Sequence, residues 1–160
     1  MTETLTAAPT GDAQTIQFSI EKIYVKDLSL ENPASPQSFQ LTEQPQVEVG
    51  LRTRGEQVQP DVYEVVLTIT ATARAAGKTV FLVEVSQAGI FGIRGVAPDQ
   101  LQPIVAVHCP TVLFPFAREA VADATMRAGF PPVQLAPINF EALYQQQLAQ
   151  GAGMVPAAAN

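Results

Sequence analysis

DVYEVVLTITATARAAGKTVFLVEVS (61–86) is the stretch that decides the fold. Its first half, 61–73, is dense in β-branched residues, which suit a pleated surface. Val62 and Val66 oppose Tyr63, Val65, Leu67 and Ile69, because successive strand side chains point to opposite faces. AAGK supplies a turn, and TVFLVEVS (79–86) is the next strand, with Phe81, Val83 and Val85 on one face and Val80 and Leu82 on the other. An antiparallel sheet with one wet face alternates cleanly between apolar and polar. This hairpin does so only partly. The chain's own helices can cover one face, which leaves the other for a second subunit or for a few exposed valines.

Working outward toward the N-terminus, Val47, Val49 and Leu51 alternate with Glu48, Gly50 and Arg52, which makes another strand, and RTRGEQVQPD after it reads as a turn region. ENPASPQSFQLTEQP (31–45) holds three prolines and reads as a long crossover loop. Before it, Ile16, Phe18, Ile20, Tyr24, Leu28 and Leu30 share one parity, so a first strand starts near Ile16. Four strands joined by loops predict an antiparallel meander. After Gly95 the period becomes helical. VAPDQLQPIVAVHC predicts a short helix, interrupted at Pro103 or ended before Pro110. Thr111 to Ala128 predicts a longer one, with a stripe of Leu113, Ala117, Ala120, Val121, Ala124 and Ala128 and an Asp123–Arg127 pair. GFPPVQLAP (129–137) is an extended connector, and 139–149 is a last helix with Asn139 as its N-cap. Residues 1–15 and 149–160 lack periodicity and are expected to be a disordered segment and a flexible tail, around one domain at 16–148.

The 160 residues fit one domain, and 47% are apolar while only 15% are charged, against roughly 25% charged in an average soluble protein. Mean hydropathy is +0.14. Such a surplus of apolar surface calls for oligomerisation or a binding surface to cover it. Net charge is −6, and the 9 Lys and Arg residues are spread along the chain, which argues against nucleic acid as a partner. An acidic surface suits a basic partner, or simply solubility. No apolar run approaches the ~20 residues that span a bilayer. The N-terminus lacks the basic and apolar regions of a signal peptide, and Cys109 is the single cysteine, so a reducing, cytoplasmic location is expected without membrane insertion.

Catalytic chemistry finds little purchase, and neither enzyme activity nor a cofactor is expected. His108 and Cys109 are neighbours, but adjacent helix positions point about 100° apart, and two ligands are too few for zinc. Gly89, Gly92 and Gly95 have the wrong spacing for a dinucleotide loop, and no Walker lysine follows them, so a post-strand loop is the better reading. Asp27 and Glu31 share a strand face about 13 Å apart, and Leu82 and Glu84 share another. From spacing alone a solvated sheet face is favoured over an acidic docking patch. Large apolar groups also sit on the proline-rich connectors and the last helix: Phe39, Phe130, Leu135, Ile138, Phe140, Leu143 and Tyr144. They either form an adaptable groove or close the core.

Read together, IYVKDLSLENP, DVYEVVL, FLVEV followed by GIF, CPTVLFPFARE and LAPINFEALY resemble the SecB family of bacterial export chaperones, in one order from about Ile16 to Leu148. The resemblance implies a four-stranded antiparallel sheet with helices packed on one side, assembled as a tetramer, a dimer of dimers with helices sandwiched between sheets. It implies an ATP-independent holdase that binds unfolded preproteins and delivers them to the motor SecA. By motif position, SecA docking would fall to Asp27, Glu31, Leu82 and Glu84. Client binding would fall to Leu28, Leu30, Phe39, Val47, Val49, Leu51, Phe140 and Leu143. The subunit contact would involve Val83, Val85 and Gln87. The chain departs from the family where the crossover loop often carries tryptophan; it has none, and Glu43 stands near that place. Its tail is neutral where some members have an acidic one. The alternatives are a holdase guarding a labile regulator, a small α+β enzyme, and a purely structural oligomer.

Overall fold

The computed structural model describes residues 15–151. β1 (Gln17–Glu31), β2 (Gln46–Gln59), β3 (Val62–Ala75) and β4 (Lys78–Arg94) form one antiparallel sheet in the order β1-β4-β3-β2. The class is α+β, as the sequence predicts, but the simple meander needs correction. β2, β3 and β4 follow one another, whereas β1 crosses over to pair with β4, giving the order of a Greek key. The cause is the segment between β1 and β2, whose prolines and short 3-10 turn (Gln37–Gln40) carry the chain to the far edge instead of back through a hairpin.

Two strands run further than their apolar patterns suggest. β2 continues through RTRGEQVQ, the expected turn region, because an edge strand wet on both faces has no apolar alternation to announce it. The turn is confined to Pro60 and Asp61, with Asp61 at φ 61. β4 continues through AGIFGIR, so Gly89 and Gly92 are strand residues and not a loop. A Cβ on Gly89 would lie 2.7 Å from Cε2 of Phe91 and 3.1 Å from Cδ2 of Leu113, so only glycine lets the helix layer settle there.

The helix layer also differs from expectation. α1 (Pro98–Pro103) runs through a π turn at Ile104–His108 into α2 (Cys109–Arg127) without a break. The wider π turn, closed by Cys109 N–H on the Ile104 carbonyl, absorbs the hydrogen bond that Pro110 cannot donate. The continuous 30-residue run Pro98–Arg127 is therefore long and apolar enough by composition to cross a membrane, contrary to the reading of the sequence as interrupted. It packs on β3 and β4, as a core helix does. Leu113, Ala117, Val121, Ala124 and Ala128 are buried, with Ala120 half-buried, as the stripe predicts. Arg127 Nε donates to Asp123 Oδ2 at 2.8 Å. α3 (Phe140–Gly151) is capped by Asn139, whose Oδ1 accepts the Ala142 N–H at 2.9 Å. It passes the expected boundary at 149. Most of the expected disordered segment and tail lies outside the described residues.

Cross-strand partners share a sheet face, so the register sorts the side chains. Val65, Leu67, Ile69 and Ala71 of β3 and Phe81, Val83, Val85 and Phe91 of β4 form the buried helix side. The opposite, open face has no helix on it among the described residues. On β1, bulges between Ile20 and Lys22 and between Val25 and Asp27 each shift the alternation by one. Tyr24, opposite Ala88, therefore lies on the open face, while Ile23 and Val25 join Leu28 and Leu30 on the helix side. The single parity expected from Ile16 to Leu30 is broken by these two unpaired residues, which apolar spacing cannot reveal.

Candidate functional site

The open face gathers the four expected docking residues. Asp27 pairs with Ser86, Ser29 with Glu84, and Glu31 with Leu82, so the acids of β1 stand beside Leu82 and Glu84 of β4. Asp27 and Glu31 are exposed, and Leu82 and Glu84 half-buried. Thr70 Oγ1 donates to Glu84 Oε2 at 3.1 Å, which fixes one carboxylate. The face is not uniformly acidic. A shallow depression of about 330 Å³ is lined by Asp27 and Glu84 together with Lys26, Arg52 and Arg54. Next to it Glu64 accepts hydrogen bonds from the Tyr24 hydroxyl and from Lys26 Nζ, the latter at 2.6 Å. The bonds from Lys26 and Tyr24 hold the Glu64 carboxyl below the usual carboxylate range. Burial, followed by the bond to Glu64, pushes Tyr24 up to about 12.

The expected client-binding residues separate into two groups, because their strands occupy opposite sheet edges, about 14 Å apart over three strand spacings. Leu28 and Leu30 on β1 are 51% and 39% exposed; Val47 and Val49 on β2 are 39% and 49% exposed. α2 covers β3 and β4, and the helix side of both edge strands stays largely bare. Beside β2, Leu51, Gly55, Val105, Phe140, Leu143 and Tyr144 are among the residues lining a groove of about 540 Å³. Phe140 is 4% exposed and packs on Phe114, so it is floor more than free surface. Phe39 is half-exposed and stacks on Phe130, which in turn meets Phe81, with ring centroids 5.2 and 5.1 Å apart. Asn32 Nδ2 donates to the Ala128 carbonyl at 2.9 Å and ties the start of the crossover to the end of α2.

Val83, Val85 and Gln87 lie inside the chain, at 0%, 0% and 3% exposure. Gln87 Nε2 donates to the Tyr24 carbonyl at 3.0 Å, so its polar head serves β1. Any effect these residues have on assembly runs through what packs on them. Sequence reasoning missed Glu64, whose partners lie 40 and 38 residues away. It also missed the task of Glu43: Oε2 accepts the Ala76 N–H at 3.0 Å and pins the crossover loop to the β3–β4 turn. Cys109 is fully buried, which pushes its thiol up to about 12, and the ring of His108 packs edge-on against Phe18. Among the described residues no cluster of His, Cys, Asp and Glu is suited to a metal ion.

Comparison with known proteins follows the same lines. The chain is 60% identical over 136 residues to the protein-export protein SecB of Dechloromonas aromatica, covering 85% of this chain and 90% of that protein. It is 57% identical over 135 residues to the protein-export protein SecB of Chromobacterium violaceum, covering 84% and 90%. A solved structure of a SecB-like chaperone of Mycobacterium tuberculosis, in complex with a peptide from the HigA1 antitoxin, shares the fold with a TM-score of 0.57 at 18% identity, over 76% of this chain and 90% of that one. The family described as preprotein translocase subunit SecB matches residues 11–151. With a match of that extent and relatives of that identity, the chain belongs to the SecB family.

Proposed function

We propose that this SecB-family chain serves protein export as an ATP-independent holdase, binding unfolded preproteins and keeping them competent for translocation. The observation that carries the reading is the bare apolar side of both edge strands. Leu28, Leu30, Val47 and Val49 stand next to unpaired strand backbone, so an extended client can bury side chains and add hydrogen bonds in one step. Each large apolar group buried contributes roughly 1.5–3 kcal/mol before ordering costs. A folded client hides those groups, which gives selectivity for the unfolded state without a sequence code.

Asp27, Glu31, Leu82 and Glu84 are the surface for SecA, on the face away from the client edges. Four copies, a dimer of dimers, multiply weak patches through effective concentration. The domain at 16–148 carries these surfaces. The protein works in the cytoplasm, catalyses nothing, and leaves the work of release to the motor, which must bind the partners with different affinity in its different states. A holdase for a labile regulator is less favoured, because the relatives at 57–60% identity are protein-export proteins.

The test is titration with a permanently unfolded precursor and with its folded form, in the absence of nucleotide. Binding of the unfolded form alone, near one client per tetramer, supports the holdase. Equal or absent binding to both forms removes it. Replacing Asp27, Glu31 and Glu84 together by their amides then weakens SecA binding and leaves client binding intact; unchanged SecA affinity would reassign the open face.

A further inference from the structure

The segment Asp27–Glu31 carries two surfaces on one strand. Asp27 and Glu31 point to the open face, and Leu28 and Leu30 to the helix side. That assignment depends on a single unpaired residue. Val25 pairs with Gln87 on the helix side, and Lys26 is skipped in the register before Asp27 pairs with Ser86. Without the skip, strict alternation would place Asp27 opposite Val85, Leu28 opposite Glu84 and Glu31 opposite Phe81. The acids would turn to the helix side and the leucines to the open face.

Burial does not choose between these registers. Every residue from Val25 to Glu31 is exposed in the chain, because α2 packs chiefly on β4 and β3. A strand wet on both faces is weakly specified by its apolar pattern. The bulge is instead held from both sides. On the open face the skipped Lys26 and neighbouring Tyr24 both bond to Glu64 of β3, reaching across β4 where the small Ala88 opposes Tyr24. On the helix side Gln87, itself buried, donates to the Tyr24 carbonyl. Glu64 is half-buried and Lys26 is 42% exposed at its side chain, so the pair is partly shielded from water.

We infer that Glu64, with Gln87 beneath it, is a positioning residue that locks the β1 bulge and so decides which face carries the acids and which the leucines. The function of each surface rests on the reading above; the lock itself does not. It acts through Tyr24 and Lys26 and needs no contact with client or motor.

The experiment reads the register directly. Cysteine pairs at Ser29 and Glu84 report the observed register, and pairs at Leu28 and Glu84 report the slipped one; buried Cys109 does not compete. In Glu64→Ala the ratio of observed to slipped crosslink, measured under mild oxidation, falls at least about tenfold, and Glu64→Gln, which keeps one of the two acceptor oxygens, recovers part of it. Should Glu64→Ala fail to fold, Lys26→Met and Tyr24→Phe, which each remove one bond, are read in the same way and together give the same direction. An unchanged ratio in the folded variants overturns the inference. A shifted ratio supports it, and SecA affinity that stays constant while the ratio shifts counts against the docking surface, not against the lock.

Discussion

Glu64 and Cys109 show how far a side chain's surroundings decide what it does. The Glu64 carboxyl is depressed by the Lys26 and Tyr24 bonds, so the stabilisation it contributes is present above the ordinary carboxylate range and is lost as pH falls through its lower folded value. The thermal midpoint of the wild type should therefore exceed that of Glu64→Gln at neutral pH, and the gap should close in acid below the usual carboxylate range. A gap of equal size at every pH would mean that charge has no part in it. Tyr24, pushed up to about 12, remains a donor throughout that range. Cys109 is the opposite case, a thiol silenced by burial alone. A disulfide reagent at pH 8 should leave the native protein unlabelled and react only at the rate of unfolding. Prompt stoichiometric labelling of folded protein would place the thiol at the surface.

Among the elements, α2 packs on β4, and Gly89 sits beneath Leu113 in that contact. Adding a methyl there drives Cβ into Phe91 and Leu113, so Gly89→Ala should destabilise the fold by about 1–3 kcal/mol, seen as a lower denaturant midpoint at unchanged slope. An unaltered midpoint would show that the ring and the helix can move aside. This glycine also marks a limit of the sequence. In AGIFGIRG it reads as loop, because nothing local says that a helix will lie on it. The strands of the central hairpin were legible, since Val65, Leu67 and Ile69 face a core and their pattern records it. The polar half of β2 and the bulges of β1 were not, because an edge strand exposed on both faces keeps no apolar record. The residue types of the proposed sites were readable from motifs, while the split of the proposed client residues between two edges required the Greek-key order. Glu64 had no signal at all, since its meaning lies in partners distant along the chain.

At the scale of the whole molecule, the single chain leaves apolar surface in a pattern that suits a second layer. α2 buries one stripe on the sheet, but the outer side of the helix shows Phe116 and Met126 at 48% and 51% exposure, with Val112 half-buried one turn before Phe116. Only 33% of the most apolar window of the Pro98–Arg127 run is buried within the chain. Water is a poor neighbour for the remainder, and another copy presenting the same face would cover it by an isologous contact. Such a contact on the helix layer would supply one of the two interfaces that the proposed dimer of dimers requires. Phe116→Arg puts a charge at the centre of that contact without touching the sheet core, so light scattering should report a smaller species at the same protein concentration. Linked patches raise affinity by roughly 10²–10⁴ over single ones, so binding of a long unfolded precursor should weaken steeply in this variant. Binding of a short apolar peptide, which fills one patch, should change by less than about twofold. An unchanged mass would move the subunit contact to another surface. A reduced mass with long-client affinity intact would instead mean that one chain offers a complete binding track, running from the β1 edge over the crossover aromatics to the β2 groove.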